Sequence, residues 1–107
     1  MNWKKLESIA DLEAALEASN QQAVALFKHS TRCPVSSMAK RLVEREWDLD
    51  IDAYFLDLIA YRNVSNEIAD RLNVRHQSPQ MIVVKNGESI YNASHESIQV
   101  AAIAGAL

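Results

Sequence analysis

Apolar residues recur along the chain with two different periods, which predicts that helices and strands alternate. Near the N-terminus the spacing is that of one helix face, and Ser8 is a suitable N-cap. The residues on this face are Ile9, Leu12, Ala15 and Leu16. Residues 23–27 are continuously apolar, which is typical of a strand buried on both faces. The segment from Pro34 to about Trp47 then predicts a helix, because proline is tolerated in a first helical turn.

The second half of the chain repeats this alternation and then changes to a hairpin. Residues 53–58 form a second strand-like run, and a helix is predicted to follow and to end near Asn73. Its apolar positions, four residues apart, are Val64, Ile68 and Leu72. Two further strands are predicted at 80–84 and 89–91, joined by Lys85-Asn86-Gly87-Glu88, and Asn-Gly is a strong hairpin signal. A last helix is predicted to begin near Ser94 and to bury Ile98, Ala101, Ala102 and Ile103.

The resulting order of elements predicts a single α/β domain over residues 1–107. With the short segment that carries Trp3 and Leu6 taken as a first strand, the order is β-α-β-α-β-α-β-β-α. It implies a central mixed sheet with right-handed parallel β-α-β crossovers, a terminal hairpin and a covering C-terminal helix. This is the element order of the thioredoxin fold.

Composition narrows the classes of function. The 107 residues are 49% apolar and 23% charged, as expected for one folded domain, and the net charge is −3 without any basic block. We therefore expect no binding to nucleic acid or to anionic membranes. No apolar run is long enough to span a bilayer, and the N-terminal segment lacks the apolar core of a signal peptide. We expect a cytoplasmic protein.

Cys33 is the only cysteine, and it lies between a predicted strand and a predicted helix. The unpaired N–H groups and the positive end of a helix favour a thiolate, which is the nucleophilic form of the side chain. Without a second cysteine, covalent sulfur chemistry must end on another molecule. One cysteine and three dispersed histidines provide no metal-ligand spacing, so we expect neither a metal nor a bound cofactor.

The neighbours of Cys33 each have more than one possible role. Ser36 lies one helical turn away, where its hydroxyl can either donate to a thiolate or satisfy backbone groups. Arg32 either adds positive charge beside the sulfur or extends into solvent, and Thr31 either reaches the sulfur or forms the turn. Pro34 is expected to start the helix. Cys33 itself has an alternative interpretation, in which it is a buried and unreactive cysteine.

The segment Lys28-His29-Ser30-Thr31-Arg32-Cys33-Pro34-Val35-Ser36 resembles the monothiol bacilliredoxin family, the small thioredoxin-like proteins of the bacillithiol system. The resemblance extends from Trp3 and Leu6 through residues 27–36 and 57–62 to Ser78-Pro79-Gln80. It implies removal of bacillithiol from mixed disulfides on client proteins, with bacillithiol as co-substrate. Cys33 would be the attacking thiol, Ser36 would take the place of a dithiol enzyme's second cysteine, and Pro79 would be a cis-proline facing Cys33.

The loop before the hairpin is the expected substrate-binding segment. A cis peptide before Pro79 would leave the backbone groups of Ser78 free to pair with an extended substrate. His76 is a candidate contact for the carboxylates of the small thiol. His29, at the end of its strand, either supports the thiolate when protonated or lies in packing or in solvent, and the second alternative is favoured. His95 is expected in the first turn of the last helix, without a role in the chemistry.

Two other classes of function compete with this interpretation. One is a thioredoxin-fold binding module without redox turnover, or a carrier of an iron-sulfur cluster bridged by Cys33 and a small thiol. The Cys-Gly-Phe-Ser sequence of monothiol glutaredoxins is absent, which argues against the carrier. The other, arsenate reduction, lacks any recognisable set of arginines for an oxyanion. The sequence does not identify the host's thiol, the clients, the oligomeric state or the recycling reductase.

Overall fold

A five-stranded mixed sheet forms the centre of the protein in the computed structural model, which describes residues 1–107. The strands are β1 (Trp3–Lys5), β2 (Val24–His29), β3 (Asp52–Asp57), β4 (Gln80–Lys85) and β5 (Glu88–Ser94). Their spatial order is β1-β3-β2-β4-β5. The first three are parallel, and β4 and β5 are antiparallel to their neighbours. The predicted mixed α/β sheet with a terminal hairpin is confirmed.

Four helices cover the two faces of this sheet: α1 (Ile9–Ala18), α2 (Pro34–Glu46), α3 (Arg62–Leu72) and α4 (Val100–Ala106). Helices α1 and α3 pack on one face, where Leu12 and Ile68 are completely buried. Helices α2 and α4 pack on the other, where Val43 and Ile103 are buried. No helix is both long and apolar enough to cross a membrane.

Strand β2 lies in the middle of the sheet, and all six of its residues are buried. Because side chains alternate along a strand, Leu26 contributes to the core under α1 and α3, and Phe27 to the core under α2 and α4. By the same alternation, Lys28 points to the face covered by α1 and α3, and His29 points to the face covered by α2 and α4. The core strand therefore ends in two buried polar side chains.

Local sequence chemistry explains the element boundaries. Ser8 Oγ accepts a hydrogen bond from the backbone N–H of Asp11 at 3.0 Å, which caps α1 as predicted. Asn73 ends α3 in the left-handed conformation with φ of 52°. In the hairpin, Asn86 and Gly87 both have positive φ, as a tight two-residue turn requires.

The C-terminal helix differs from the prediction. A short 3₁₀ helix (His95–Ser97) precedes it, and α4 begins only at Val100. Ile98 and Ile103 are buried as predicted, whereas Ala101 and Ala102 are exposed. The reason is that Ile98 lies in an extended linker before α4, so that the helix face towards the core is set by Val100 and Ile103.

The hairpin offers a matched test of where the core lies. Ile82 in β4 is completely buried, whereas Ile90 in β5 is 42% exposed. We expect Ile82→Ala to lower the free energy of unfolding by about 2–5 kcal/mol, because it leaves a cavity. Ile90→Ala should lower it by less than about 1 kcal/mol. Urea denaturation followed by circular dichroism measures both, and equal losses would contradict this assignment of the core.

Candidate functional site

The candidate site lies at one edge of the sheet, where β2 and β3 end and β4 begins. His29, the last residue of β2, is paired with Asp57, the last residue of β3. Lys28 is paired with Gln80, the first residue of β4. Because the two parallel strands end where the antiparallel strand starts, the segments that follow β2 and precede β4 emerge at the same edge.

Cys33 occupies the N-cap position of α2 and is partly exposed. Its N–H donates to the carbonyl of Ser30 at 3.2 Å, and its own carbonyl accepts the N–H of Ser37 at 3.1 Å. Pro34 opens the helix as predicted, and no acidic residue lies in the first turn. The thiol therefore sits at the positive end of a 13-residue helix whose first turn carries no carboxylate.

The residues just before Cys33 are held by backbone contacts. Thr31 and Arg32 are both exposed, and neither side chain makes a hydrogen bond within the protein. The turn from Ser30 to Cys33 is closed instead by the backbone hydrogen bond between these two residues. Thr31 therefore occupies a turn position, and the guanidinium of Arg32 is exposed.

Ser36 is completely buried, and its hydroxyl makes its hydrogen bonds away from Cys33. Ser36 Oγ accepts the backbone N–H of Ser30 at 3.0 Å and lies 2.7 Å from His29 Nδ1. The expected alternative of donation to the thiolate is therefore not what the structure shows. Ser36 satisfies a backbone group and thereby fixes the loop that carries Cys33.

His29 is buried beneath the start of α2, as expected for a packing role. Its ring lies 5.3 Å from the centroid of Phe55 and 6.0 Å from that of Phe27. Burial, followed by the positive charge of Lys40, lowers the pKa of His29, while Asp57 acts in the opposite direction. The imidazole is therefore neutral at neutral pH and serves as the hydrogen-bonding partner of Ser36.

The Ser78–Pro79 peptide bond is cis, in agreement with what the resemblance implies. Pro79 is buried, and its carbonyl accepts the N–H of His95 at 3.1 Å. Ser78 Oγ is buried without a hydrogen-bond partner, an uncommon state for a polar atom inside a protein. The segment expected to bind substrate is thus tied on one side to the 3₁₀ helix that follows β5, and it retains an unsatisfied hydroxyl.

A shallow apolar groove of about 290 Å³ runs beside the start of α2. Pro34 and Val35 line one wall, and His95 and Ile98 line the other. Met38 is 58% exposed next to it. His95, expected in a regular helix without a role, instead has a φ of 55° and faces this groove. This position of His95 was not predictable, because the 3₁₀ segment has no distinctive sequence pattern.

Lys28 is the polar residue near the site that the sequence reasoning left without a role. Its side chain is completely buried, and Nζ donates to the carbonyl of Ser65 at 3.1 Å. Nζ also lies 3.2 Å from His76 Nδ1. Burial lowers the pKa of Lys28 to about 8. The sequence feature that could have indicated a role is the position of Lys28 directly after the apolar residues of a core strand, because a lysine buried there must find partners inside the protein.

His76 lies in the loop before Pro79, as predicted, and is exposed. Its Nδ1 also lies 3.4 Å from Ser65 Oγ. Burial of the ring, then the positive charges of Lys28 and Arg62, lower the pKa of His76. The structure thus places His76 at the surface above a buried cation. Among the side chains of the protein, no group of three or more metal-ligating residues is found.

Comparison with known proteins agrees with this geometry. The family model described as Monothiol bacilliredoxin BrxC matches residues 4–103. A solved structure described as a thioredoxin-fold protein with a proposed oxidoreductase activity is 36% identical; the match covers 95% of this chain and 90% of that chain, with a TM-score of 0.80. The chain is also similar in fold to Malassezia sympodialis thioredoxin, at 15% identity, with 98% and 87% of the two chains covered and a TM-score of 0.76. Thioredoxin O2 from Arabidopsis thaliana is 18% identical; the match covers 96% of this chain and 89% of that chain, with a TM-score of 0.69.

The buried lysine makes the stability of the protein depend on pH. The pKa of Lys28 falls from 10.5 to about 8 on folding, so between these values the unfolded chain binds more protons and stability rises with pH. Relative to Lys28→Met, the wild-type free energy of unfolding should rise by about 2 kcal/mol between about pH 7 and about pH 9.5. Urea denaturation at each pH measures this difference. The exposed Lys85→Met is the control, and a pH-independent difference for Lys28→Met would contradict the expectation.

Proposed function

The chain belongs to the monothiol bacilliredoxin family, and on that premise we propose that it removes bacillithiol from mixed disulfides on client proteins, with Cys33 as the nucleophile. The observation that carries this proposal is the position of Cys33. Its thiol is free, partly exposed and placed at the N-terminus of α2. These are the surroundings in which a cysteine is reactive rather than structural.

The reaction consists of two thiol–disulfide exchanges. The Cys33 thiolate attacks the bacillithiol sulfur of the mixed disulfide, the bond between that sulfur and the client breaks, and the client thiolate leaves and takes up a proton. A new disulfide now joins Cys33 to bacillithiol. The thiolate of a second bacillithiol attacks the bound bacillithiol sulfur, releasing Cys33 as a thiolate and forming bacillithiol disulfide. The client thiol is thereby regenerated, one free bacillithiol is oxidised in its place, and the two bacillithiol molecules leave as one disulfide.

The second step needs an external thiol because the chain has no other cysteine. Ser36, one turn after Cys33, has a buried hydroxyl that serves Ser30 and His29. A hydroxyl forms no disulfide, so the adduct on Cys33 persists until a small thiol or a partner protein resolves it. A persistent single adduct is the chemical signature of this proposal.

The loop that precedes β4 supplies the surface for the substrate. The backbone of Ser78, before the cis bond to Pro79, is available to pair with an extended client segment. Ser78 Oγ lacks a partner within the protein but is buried, so the contact that this segment offers to a client is its backbone and not this hydroxyl. His76 contacts the carboxylates of the small thiol in this proposal, and the exposed Arg32 adds positive charge beside the mixed disulfide.

Intact-mass analysis tests the nucleophile and its substrate class together. Wild type and Cys33→Ser are treated with oxidised bacillithiol and, in parallel, with oxidised glutathione. We expect a single adduct on the wild type only, formed faster with the bacillithiol reagent and removed by free bacillithiol. The physical reason is that only position 33 offers a thiolate.

A single-turnover assay with a bacillithiolated client completes the test. Wild type should release the reduced client and retain one bacillithiol, whereas Cys33→Ser should release none. Ser37→Ala, a helix residue adjacent to the buried Ser36, is the control for a change near the helix start. Client release by Cys33→Ser, or no adduct on the wild type, would overturn the proposal and favour a binding module without redox turnover.

A further inference from the structure

Lys28 is a buried cation that no acidic side chain neutralises. Its side chain is fully buried at the end of the central strand, and its two hydrogen-bonding contacts are the Ser65 carbonyl and His76 Nδ1. None of the ion pairs of the protein includes it. Burying a charge without a counter-ion is unfavourable, so its retention here calls for a role beyond packing.

The contact with Lys28 determines where His76 carries its proton. A lysine ammonium has three donors and no lone pair, so His76 Nδ1 must be the acceptor in this contact. A neutral imidazole that accepts at Nδ1 carries its hydrogen on Nε2. Nδ1 is the ring atom that faces Lys28 and Ser65, which leaves Nε2–H as a donor on an exposed residue.

Gln80 holds the same loop from its other side. The buried side chain of Gln80 donates through Nε2 to the carbonyl of Arg75 at 2.9 Å, and its Oε1 accepts the N–H of Gln77 at 3.4 Å. His76 lies between these two anchored residues. Lys28 and Gln80 are directly paired across β2 and β4. Of this pair, Gln80 holds the backbone on either side of His76, and Lys28 holds its ring.

The charged groups that act on the His76 ring are positive. The charged groups that lower the pKa of His76 are Lys28 and Arg62, both of which are cations. A neutral N–H donor backed by positive charge is suited to a carboxylate, which accepts hydrogen bonds and is stabilised by the nearby cations. The loop that bears this donor leads into Pro79, at the edge of the sheet from which the Cys33 loop emerges.

We propose that Lys28 is a specificity-determining residue that acts through His76: it fixes the ring with Nε2–H outward, so that the site prefers small thiols that carry carboxylates over uncharged ones. This inference rests on the proposed function, because it concerns the thiol that becomes attached to Cys33. Lys28 is a positioning residue here, since the group that touches the carboxylate is His76.

The test compares two mixed disulfides of the same client, one with bacillithiol, which carries carboxylates, and one with 2-mercaptoethanol, which is uncharged. The rate constant for client release is measured for each. Lys28→Met keeps the length of the side chain without its charge. We expect it to reduce the ratio of the two rate constants severalfold, because the tautomer with Nε2–H is no longer enforced and the positive charge behind it is lost. The rate constant with the 2-mercaptoethanol client should not change.

Two variants of His76 keep the test decisive if Lys28→Met does not fold. In His76→Asn the side-chain oxygen takes the place of Nδ1 and accepts from Lys28, but the outward donor is lost. In His76→Gln the amide nitrogen takes the place of Nε2 and keeps that donor. The preference for bacillithiol should therefore fall in His76→Asn and persist in His76→Gln. Lys85→Met, which removes an exposed charge at the far end of β4, is the control and should keep the wild-type ratio.

Nitrogen-15 NMR of the histidine rings provides a readout that a purely structural role would not change. In the wild type we expect His76 to be neutral with its hydrogen on Nε2, and in Lys28→Met a mixture of the two tautomers. Equal slowing with both clients, an unchanged ratio, or a hydrogen on Nδ1 in the wild type would overturn the inference. Failure of the wild type to form any Cys33 adduct would instead reject the proposed function on which it rests.

Discussion

The hydrogen bonding of two buried polar side chains at the end of β2 organises the candidate site. Lys28 and His29 are adjacent in the central strand, both are buried, and they extend to opposite faces of the sheet. Buried polar groups require partners. His29 finds Ser36 at the start of α2, and Lys28 finds His76 in the loop before Pro79. The two segments that flank the thiol chemistry are therefore positioned from one strand.

The residues that hold the Cys33 loop in place are different from the residue that carries the thiol. Cys33 makes hydrogen bonds only through its backbone, to Ser30 and Ser37, and the residue remains partly exposed. The residues that hold its loop, Ser36 and His29, lie beneath it and are buried. Ser36 and His29 thus stabilise the loop, whereas Cys33 presents the thiol. Under the proposed function, a substrate sulfur that approaches Cys33 would not need to displace any of these buried side-chain hydrogen bonds.

The predictable part of the molecule was the part governed by local chemistry. Apolar periodicity, the Ser8 cap and the Asn86-Gly87 turn indicated the elements, because each depends on neighbours in sequence. The partners of Ser36 and Lys28 could not be predicted in the same way. Lys28 contacts residues 37 and 48 positions away, so only the folded chain brings them together. The same holds for His95, whose place beside Pro34 depends on how β5 returns to α2.

The monothiol character of the site is coupled to its packing through Ser36. The Ser36 hydroxyl is an acceptor for the N–H of Ser30 and lies at hydrogen-bonding distance from His29, in a position with no exposure to solvent. A thiol is a weaker donor and a weaker acceptor than a hydroxyl. A cysteine at position 36 would leave a buried N–H and an imidazole poorly satisfied, and would loosen the loop that carries Cys33. The hydrogen bonding beneath the site therefore favours serine over a resolving thiol at position 36, and under the proposed function an adduct on Cys33 would be resolved by another molecule.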